Sequence, residues 1–529
     1  MAWEAGRKCE CEADKVKYLI VPYTRGTGLD LGCGRRKTFP HFIGIDNRAD
    51  VEQGIPIRPD IEADATKLPM FADGSMDFVF SSHLLEHIED HKAALIEWWR
   101  VLKVGGHMVL YLPHKSFYPN IGKPGSNPDH KHDFAPADIQ AVMEAAGGWD
   151  LLVNETRSGD DEYSFLQVWR KRGDGEQVHA WLDEKPAKTV CVSRYGGFGD
   201  LIQTSAILPE LKRQGFHVTL NVTPKGEEIL RHDPHVDAWW IQDKDQVPQP
   251  ELPAYWRALS TRFDRFVNLS ESVEATFLAV PGRTNHEWPD AVRRKYMNVN
   301  YGEFIADLAE VPHVPEARFY PGVVDRKWAG EYLRDAAARI AGPLPFGVRS
   351  PRLFTILWSL AGSSVHKFYP GMDRVIARVM LELPEAIVIT VGEPLCELLE
   401  AGWEKEKRVF RESGKISIRQ SLTLATLCDV VVGPETGVLN AAANELNRKV
   451  VMLSHSTAHN LTEHWANTIA LAPKVPCYPC HRLHYTREWC PEDKETGASV
   501  CAVSIRPEDV FEGIRTEYLA WRDADKRAA

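Results

Sequence analysis

Three stretches of this sequence combine residue types and spacings that could do chemistry. In "LDLGCG" an apolar run stops at a Gly-x-Gly turn formed by Gly32 and Gly34. Two residues without side chains let a ligand approach the backbone where a helix begins. Asp46 closes the next apolar run, "FIGIDN", where a carboxylate can accept two hydrogen bonds from ribose hydroxyls. Asp64, in "IEADATKLP", follows a third segment and is positioned to meet an adenine amino group. Farther along, "RYGGFGDLIQTSAI" is a second glycine turn that runs into Asp200, a residue placed to cap the helix "LIQTSAIL". Near the end, Cys477, Cys480, Cys490 and Cys501 are spaced C-x2-C-x9-C-x10-C. A C-x2-C knuckle with two later cysteines suits a tetrahedral thiolate site for zinc or iron. No open coordination position is implied, so the role read from it is structural. The plain alternative is a set of unpaired buried thiols.

The elements that must carry these residues are strands and crossover helices. "GLDLGCG", "FIGID", "MDFVFSS" and "GHMVLYLP" are short strand candidates separated by helical stretches, the pattern of an α/β fold with a parallel sheet. The pattern ends near "YSFLQVWRKR". The polar stretch that follows, residues 173–187, reads as a linker. Alternation restarts at "KTVCVSRYGGFGD". After the proline-rich stretches "VPHVPEARFYPG" and "AGPLPFGVRSP" it continues through "AIVITVGEP", "VVVGPETG" and "KVVMLSHS". The expectation is three Rossmann-like units, 1–172, 188–340 and 341–529.

The ordered set in the first unit resembles the class I S-adenosylmethionine-dependent methyltransferases over about residues 25–170. The resemblance implies that Asp30, Gly32 and Gly34 line the methionine part of S-adenosylmethionine, Asp46 the ribose, and Asp64 with Ala65 the adenine. It puts His83, just past the fourth strand, beside the methyl group. Methyl transfer from a sulfonium is an in-line displacement in which the protein mainly positions donor and acceptor. A hydroxyl or amine acceptor also needs a base, and His83, His114, His130 or His132 could serve. His83 and His87 in "HLLEH" could equally just begin a helix. NAD binding fits less well, because Lys37 stands where G-x-G-x-x-G requires its third glycine.

The second half resembles glycosyltransferase family 9, the heptosyltransferases, over about residues 188–515. The resemblance implies a two-domain GT-B fold with the active site in the cleft, an ADP-heptose-like nucleotide-sugar donor and a glycan or lipopolysaccharide-like acceptor. It makes Asp200 the general base that deprotonates the acceptor hydroxyl while the sugar inverts. "SLAGSSVHKFYP" resembles the donor-domain loop. Ser363 and Ser364 there can donate to a diphosphate, and Lys367 can neutralise it. "CDVVVGPETGVLNAAANEL" resembles the second donor loop, with Thr436 and Gly437 presenting backbone amides to phosphate. Glu435 stands where aspartate is usual and Asn440 where histidine is common. Glu393 or Glu397 could meet the donor ribose or base, or simply lie on a surface helix. A cysteine cluster occurs at a similar place in part of that family.

The chain has 529 residues and a formal net charge of −11. Without a basic excess, nonspecific duplex binding is disfavoured, and the best candidate for a local basic patch, Arg293 to Lys295, reads as a solvated face. The first residues lack the apolar core of a signal peptide, and no run is apolar and long enough for a membrane span. A cytoplasmic, reducing setting is therefore expected, with the ten cysteines as thiols or metal ligands. The combined expectation is a bifunctional transferase. The alternatives are an enzyme that modifies nucleic-acid bases and a non-catalytic scaffold built from transferase folds.

Overall fold

The structure is a computed structural model. It describes residues 11–48, 51–52, 55–159, 161–173, 188–270, 284–314, 316–342, 352–362, 364–484 and 486–528. The chain forms two compact units. One comprises Met1–Pro186 with Trp240–Asp264, the other Ala187–Trp239 with Arg265–Ala529. The fold is mixed α/β, dominated by parallel sheets.

The first unit holds strands β1 (Gly28–Leu31), β2 (Ile43–Asp46), β5 (Ile61–Glu62), β6 (Met76–Ser82), β7 (Leu102–Pro113), β8 (Trp149–Gly159) and β9 (Glu162–Lys171). A short antiparallel ribbon pairs β3 (Val51–Glu52) with β4 (Ile55–Pro56). The large sheet runs β5-β2-β1-β6-β7-β9-β8. Strand β1 is buried along its whole length, as a strand covered on both faces must be. It pairs in parallel with β2 on one side and β6 on the other, Leu29 opposite both Ile43 and Val79. The strand order therefore reverses at β1, the switch point beyond which open α/β sheets bind their ligands. The last two strands run antiparallel and close the far edge. Beneath the sheet, the helix His91–Val101 buries Trp98, whose indole N–H donates to the Ala65 carbonyl at 2.8 Å and holds that turn in place.

Residues Trp240–Asp264, inside the sequence span expected for the second unit, pack with the first. Gln246 donates to the carbonyls of Val21 and Thr24 at 2.7 and 3.0 Å. Arg25 pairs with Asp243 at 3.0 Å and Lys17 with Glu251 at 2.7 Å.

The second unit contains two sheets. The smaller runs β12-β11-β10-β13, from β10 (Thr189–Ser193), β11 (His217–Val222), β12 (Ala238–Ile241) and β13 (Arg265–Asn268). The larger runs β16-β15-β14-β17-β18-β19, from β14 (Phe354–Ser359), β15 (Ala386–Val391), β16 (Val409–Arg411), β17 (Val430–Pro434), β18 (Arg448–Met452) and β19 (Thr468–Leu471). Strands β14, β15 and β17 are buried end to end. That accounts for their mostly apolar, uncharged sequences, since a parallel sheet has no wet face.

The carboxyl ends of β10 and β17 lead into helices Phe198–Thr204 and Gly437–Ala442, and these two helices meet. A Cβ on Gly437 would lie 2.5 Å from Phe198 Cβ and 3.0 Å from the Gly199 nitrogen; one on Gly199 would lie 2.8 Å from Asn440 Nδ2. Glycine is required at this crossing because one backbone passes directly against another. Gln203 adds a 2.9 Å hydrogen bond to Asn440 Oδ1 across it. Gly437→Ala should force the helices apart and cost about 1–3 kcal/mol. The check is the unfolding midpoint of the second unit in the full chain, and an unchanged midpoint would contradict this close approach.

Candidate functional site

In the first unit the turn after β1 is built around left-handed glycines. Gly32 has φ +68° and Gly34 φ +55°. A Cβ on Gly32 would press on Leu84 at 3.0 Å, whereas one on Gly34 would meet nothing within 4 Å. The backbone at Gly34 is therefore approachable, and its N–H donates to Asp46 Oδ2 at 3.0 Å. Asp46 also accepts from the Arg48 N–H at 3.1 Å and is nearly buried. Glycine turn and carboxylate thus sit at the same end of adjacent strands. Asp30 is buried and accepts from the Thr38 N–H at 2.7 Å, and burial pushes its pKa up to about 6. Asp64 is exposed and accepts from the N–H and hydroxyl of Thr66 at 2.8 and 2.7 Å, beside the buried Ala65. Lys37, at the missing third glycine, pairs with Asp60 at 2.8 Å.

His83 lies just past β6 in a left-handed conformation, φ +49°. Its N–H donates to the Tyr111 carbonyl, and its ring meets Ser164 Oγ at 2.9 Å. Burial lowers its pKa to about 3. A ring this reluctant to take a proton is a weak base and is suited to orienting a partner. His114 accepts from the Ser116 N–H at 3.0 Å. His132 meets His91 at 3.2 Å, and the His130 ring meets the His87 ring with centroids 4.8 Å apart. Glu86, next to His87, is fully buried, and burial pushes its pKa up to about 8.

In the second unit the turn after β10 presents Asp200. Its carboxylate accepts from the Gly197 N–H at 3.2 Å and lies 3.1 Å from the buried guanidinium of Arg194. Asp200 is not the N-cap read from the sequence: the helix begins earlier, with Gly197 as its cap, and Asp200 is the third helical residue, reaching back to the cap's N–H. Nearly a third of the side chain stays exposed, so it can also meet a ligand. Across the helix crossing stands a buried charge cluster. Glu435 accepts from the N–H and hydroxyl of Ser454 at 3.1 and 2.7 Å and from the Ser456 N–H at 3.1 Å, and it pairs with His455. Burial would raise the Glu435 pKa, but His455, Lys367 and Ser454 outweigh it and hold the carboxyl well below the usual range. Lys367 donates to the Glu435 carbonyl at 2.7 Å. Burial lowers its pKa, opposed by Glu435 and Asp200. Tyr301 feels the same two carboxylates, which add to burial in raising its pKa.

The other residues expected at the donor have these surroundings. Ser364 is saturated by protein groups: it donates to the His484 carbonyl at 2.7 Å, accepts from the His484 N–H at 2.9 Å and meets His366 Nδ1 at 2.9 Å. Thr436 Oγ1 meets Ser359 Oγ at 3.1 Å, Asn440 donates to the Thr436 carbonyl at 3.0 Å, and Gly437 faces Phe198. Glu393 and Glu397 are exposed. Ser363 lies outside the described residues.

The four late cysteines converge. Cys477, Cys480, Cys490 and Cys501 line one enclosed cavity of ≈50 Å³ together with His366 and His484. Burial and their mutual repulsion push the Cys480 and Cys501 thiols up to about 12. Ligand atoms of His366, His484 and Cys490 lie within 4.8 Å of one another. Sequence spacing pointed to the thiols alone; the histidines come from the "SSVHK" loop and from four residues past Cys480, and only the fold joins them. The run Arg293 to Lys295 is also absorbed here. Buried Arg293 donates to the Cys480 carbonyl at 2.7 Å, and Arg294 to the carbonyls of Pro479 and Pro476 at 3.1 and 2.6 Å. Arg293 and Arg294 thus brace the cysteine loop rather than forming a solvated face.

Residues 29–110 match the family model described as a methyltransferase domain. A demethylmenaquinone methyltransferase from Renibacterium salmoninarum is 31% identical over 131 residues, which is 24% of this chain and 44% of that protein. The chain thus spans under half the length of that relative. Among solved structures, a glycosyl transferase family 9 protein from Veillonella parvula is 14% identical, with a TM-score of 0.44, covering 63% of this chain and 98% of its own. The E. coli ADP-heptose lipopolysaccharide heptosyltransferase II is 12% identical, with a TM-score of 0.43, covering 64% of this chain and 100% of its own. The first unit carries a methyltransferase-type domain. No helix among the described residues is long and apolar enough to cross a membrane.

Glu435→Gln should cost about 3 kcal/mol, because it leaves Lys367 and His455 without the charge they were buried with. The folded carboxyl sits below its ordinary value of 4.5. Its contribution is therefore present above that value and lost as pH falls through the folded pKa. Denaturant unfolding should show the gap between wild type and variant at neutral pH and a narrowing gap below about pH 4.5. A gap independent of pH would contradict the charge cluster.

Proposed function

We propose that the chain is a bifunctional transferase. Its first unit transfers methyl from S-adenosylmethionine, and its second transfers a sugar from a nucleotide-sugar donor, ADP-heptose-like, with inversion, to a glycan or lipopolysaccharide-like acceptor. The observation that carries the first activity is the turn at the switch point, where approachable Gly34 and the Asp46 carboxylate stand together. S-adenosylmethionine supplies an electrophilic methyl group when bound. The chain's part is to hold the ribose through Asp46, flank the adenine with Asp64 and Ala65, and orient the acceptor near His83. Asp46→Ala in the full chain should weaken S-adenosylmethionine binding by about 2–4 kcal/mol, measured by calorimetry. Unchanged affinity, or no binding by wild type, would refute the assignment.

The glycosyl-transfer reading rests on the order of motifs in the second half and on Asp200. That carboxylate is oriented by Arg194, remains partly open, and lies within electrostatic reach of Lys367 and Tyr301. It would take the proton of the acceptor hydroxyl as the sugar bond forms. Lys367, with the turn at Thr436, would face the donor phosphates. The cysteine cavity would hold one structural zinc or iron. Its donors are soft thiolates with two imidazoles, and its volume admits a single ion. Asp200→Asn should leave donor affinity intact and lower transfer by about 10²–10⁴-fold. The asparagine Oδ1 can still accept from the Gly197 N–H, so near-wild-type transfer would leave Asp200 with a structural role only.

A further inference from the structure

The loop after β7 returns to the end of β6 and clips onto it. The backbone N–H groups of Lys131 and His132 both donate to the Glu86 carbonyl, at 2.7 and 3.2 Å. An Asn127 turn, whose side chain accepts from the Asp129 N–H at 3.0 Å, sets the approach. The result is a register in which His130 is carried against Glu86 and His87. One ligand atom from each of the three lies within 4.8 Å of the others, and the two imidazole planes stand at 85°. The Glu86 side chain has no solvent exposure, and neither carboxyl oxygen meets a hydrogen-bond donor among the described residues. Buried carboxyl oxygens that lack hydrogen bonds are costly, so two imidazoles and such a carboxyl group at one point require an account.

We propose that Glu86, His87 and His130 bind a divalent first-row transition ion of the zinc class. Two imidazole nitrogens and one carboxylate oxygen are the donor set such ions prefer over magnesium or calcium. Three protein ligands leave the remaining positions for water or another oxygen ligand. His83 borders the same point, with its Nδ1 3.7 Å from Glu86 Oε1. The site is separate in residues and in donor chemistry from the cysteine cavity of the second unit, and it does not depend on the methyl-transfer reading.

The test is a cobalt(II) titration of the chelator-treated full-length chain, as wild type, Glu86→Gln and His130→Asn. The wild type should bind one equivalent more than either variant. The lost equivalent should lack the thiolate-to-cobalt absorption band that any cysteine-bound ion carries. Equal stoichiometry and equal spectra in the three folded proteins would overturn the proposal. A second measurement needs no variant: an anomalous difference map from zinc-soaked wild-type crystals should show a peak among Glu86, His87 and His130, and a map without that peak overturns the proposal however the variants fold.

Discussion

Parallel strand pairing is the constraint on which the rest depends. A parallel neighbour can be reached only by a crossover, so successive strands of one sheet point the same way and their carboxyl ends share one edge. Each turn to which the proposed function assigns a role lies at such an end: Gly32 after β1, Asp46 at the end of β2, His83 after β6, Asp200 after β10 and Thr436 after β17. Residues far apart in sequence become neighbours because the sheet aligns its exits.

In the second unit that alignment is carried through two sheets. The crossing of helices Phe198–Thr204 and Gly437–Ala442 sets the exits of β10 and β17 against each other, and glycine on both sides permits it. The buried Glu435 carboxylate beside the crossing is held from several sides: Ser454, Ser456 and His455 meet its oxygens, and Lys367 binds the carbonyl of the same residue.

The strands were legible in the sequence because buried parallel strands are written as mostly apolar runs with few polar residues and no charges, as in "FTILWS" and "AIVITV". The position of Asp46 at a strand end was legible because it closes an apolar run, and that of Asp200 near a helix start because it follows a glycine turn. The remaining features depend on contacts that no local pattern encodes. Ser364 reads as a free hydroxyl beside a lysine, yet the distant backbone of His484 takes up its hydrogen bonds. Arg293 reads as surface charge, yet it is buried against the cysteine loop. His366 and His484 lie 118 positions apart and meet at one cavity. The return of Trp240–Asp264 to the first unit is likewise carried by side-chain pairs such as Lys17 with Glu251, which leave no periodicity to read.

That return has a consequence for how the protein is made. The chain passes between its two units three times, near residues 186, 239 and 264. During synthesis the first unit cannot complete its packing when its own sheet has left the ribosome. The carbonyls of Val21 and Thr24 wait for Gln246, and Lys17 waits for Glu251. By then β10 and β11 of the other unit have already been made. The two units must therefore mature in overlapping intervals, and no single cut in the chain separates one from the other with both complete.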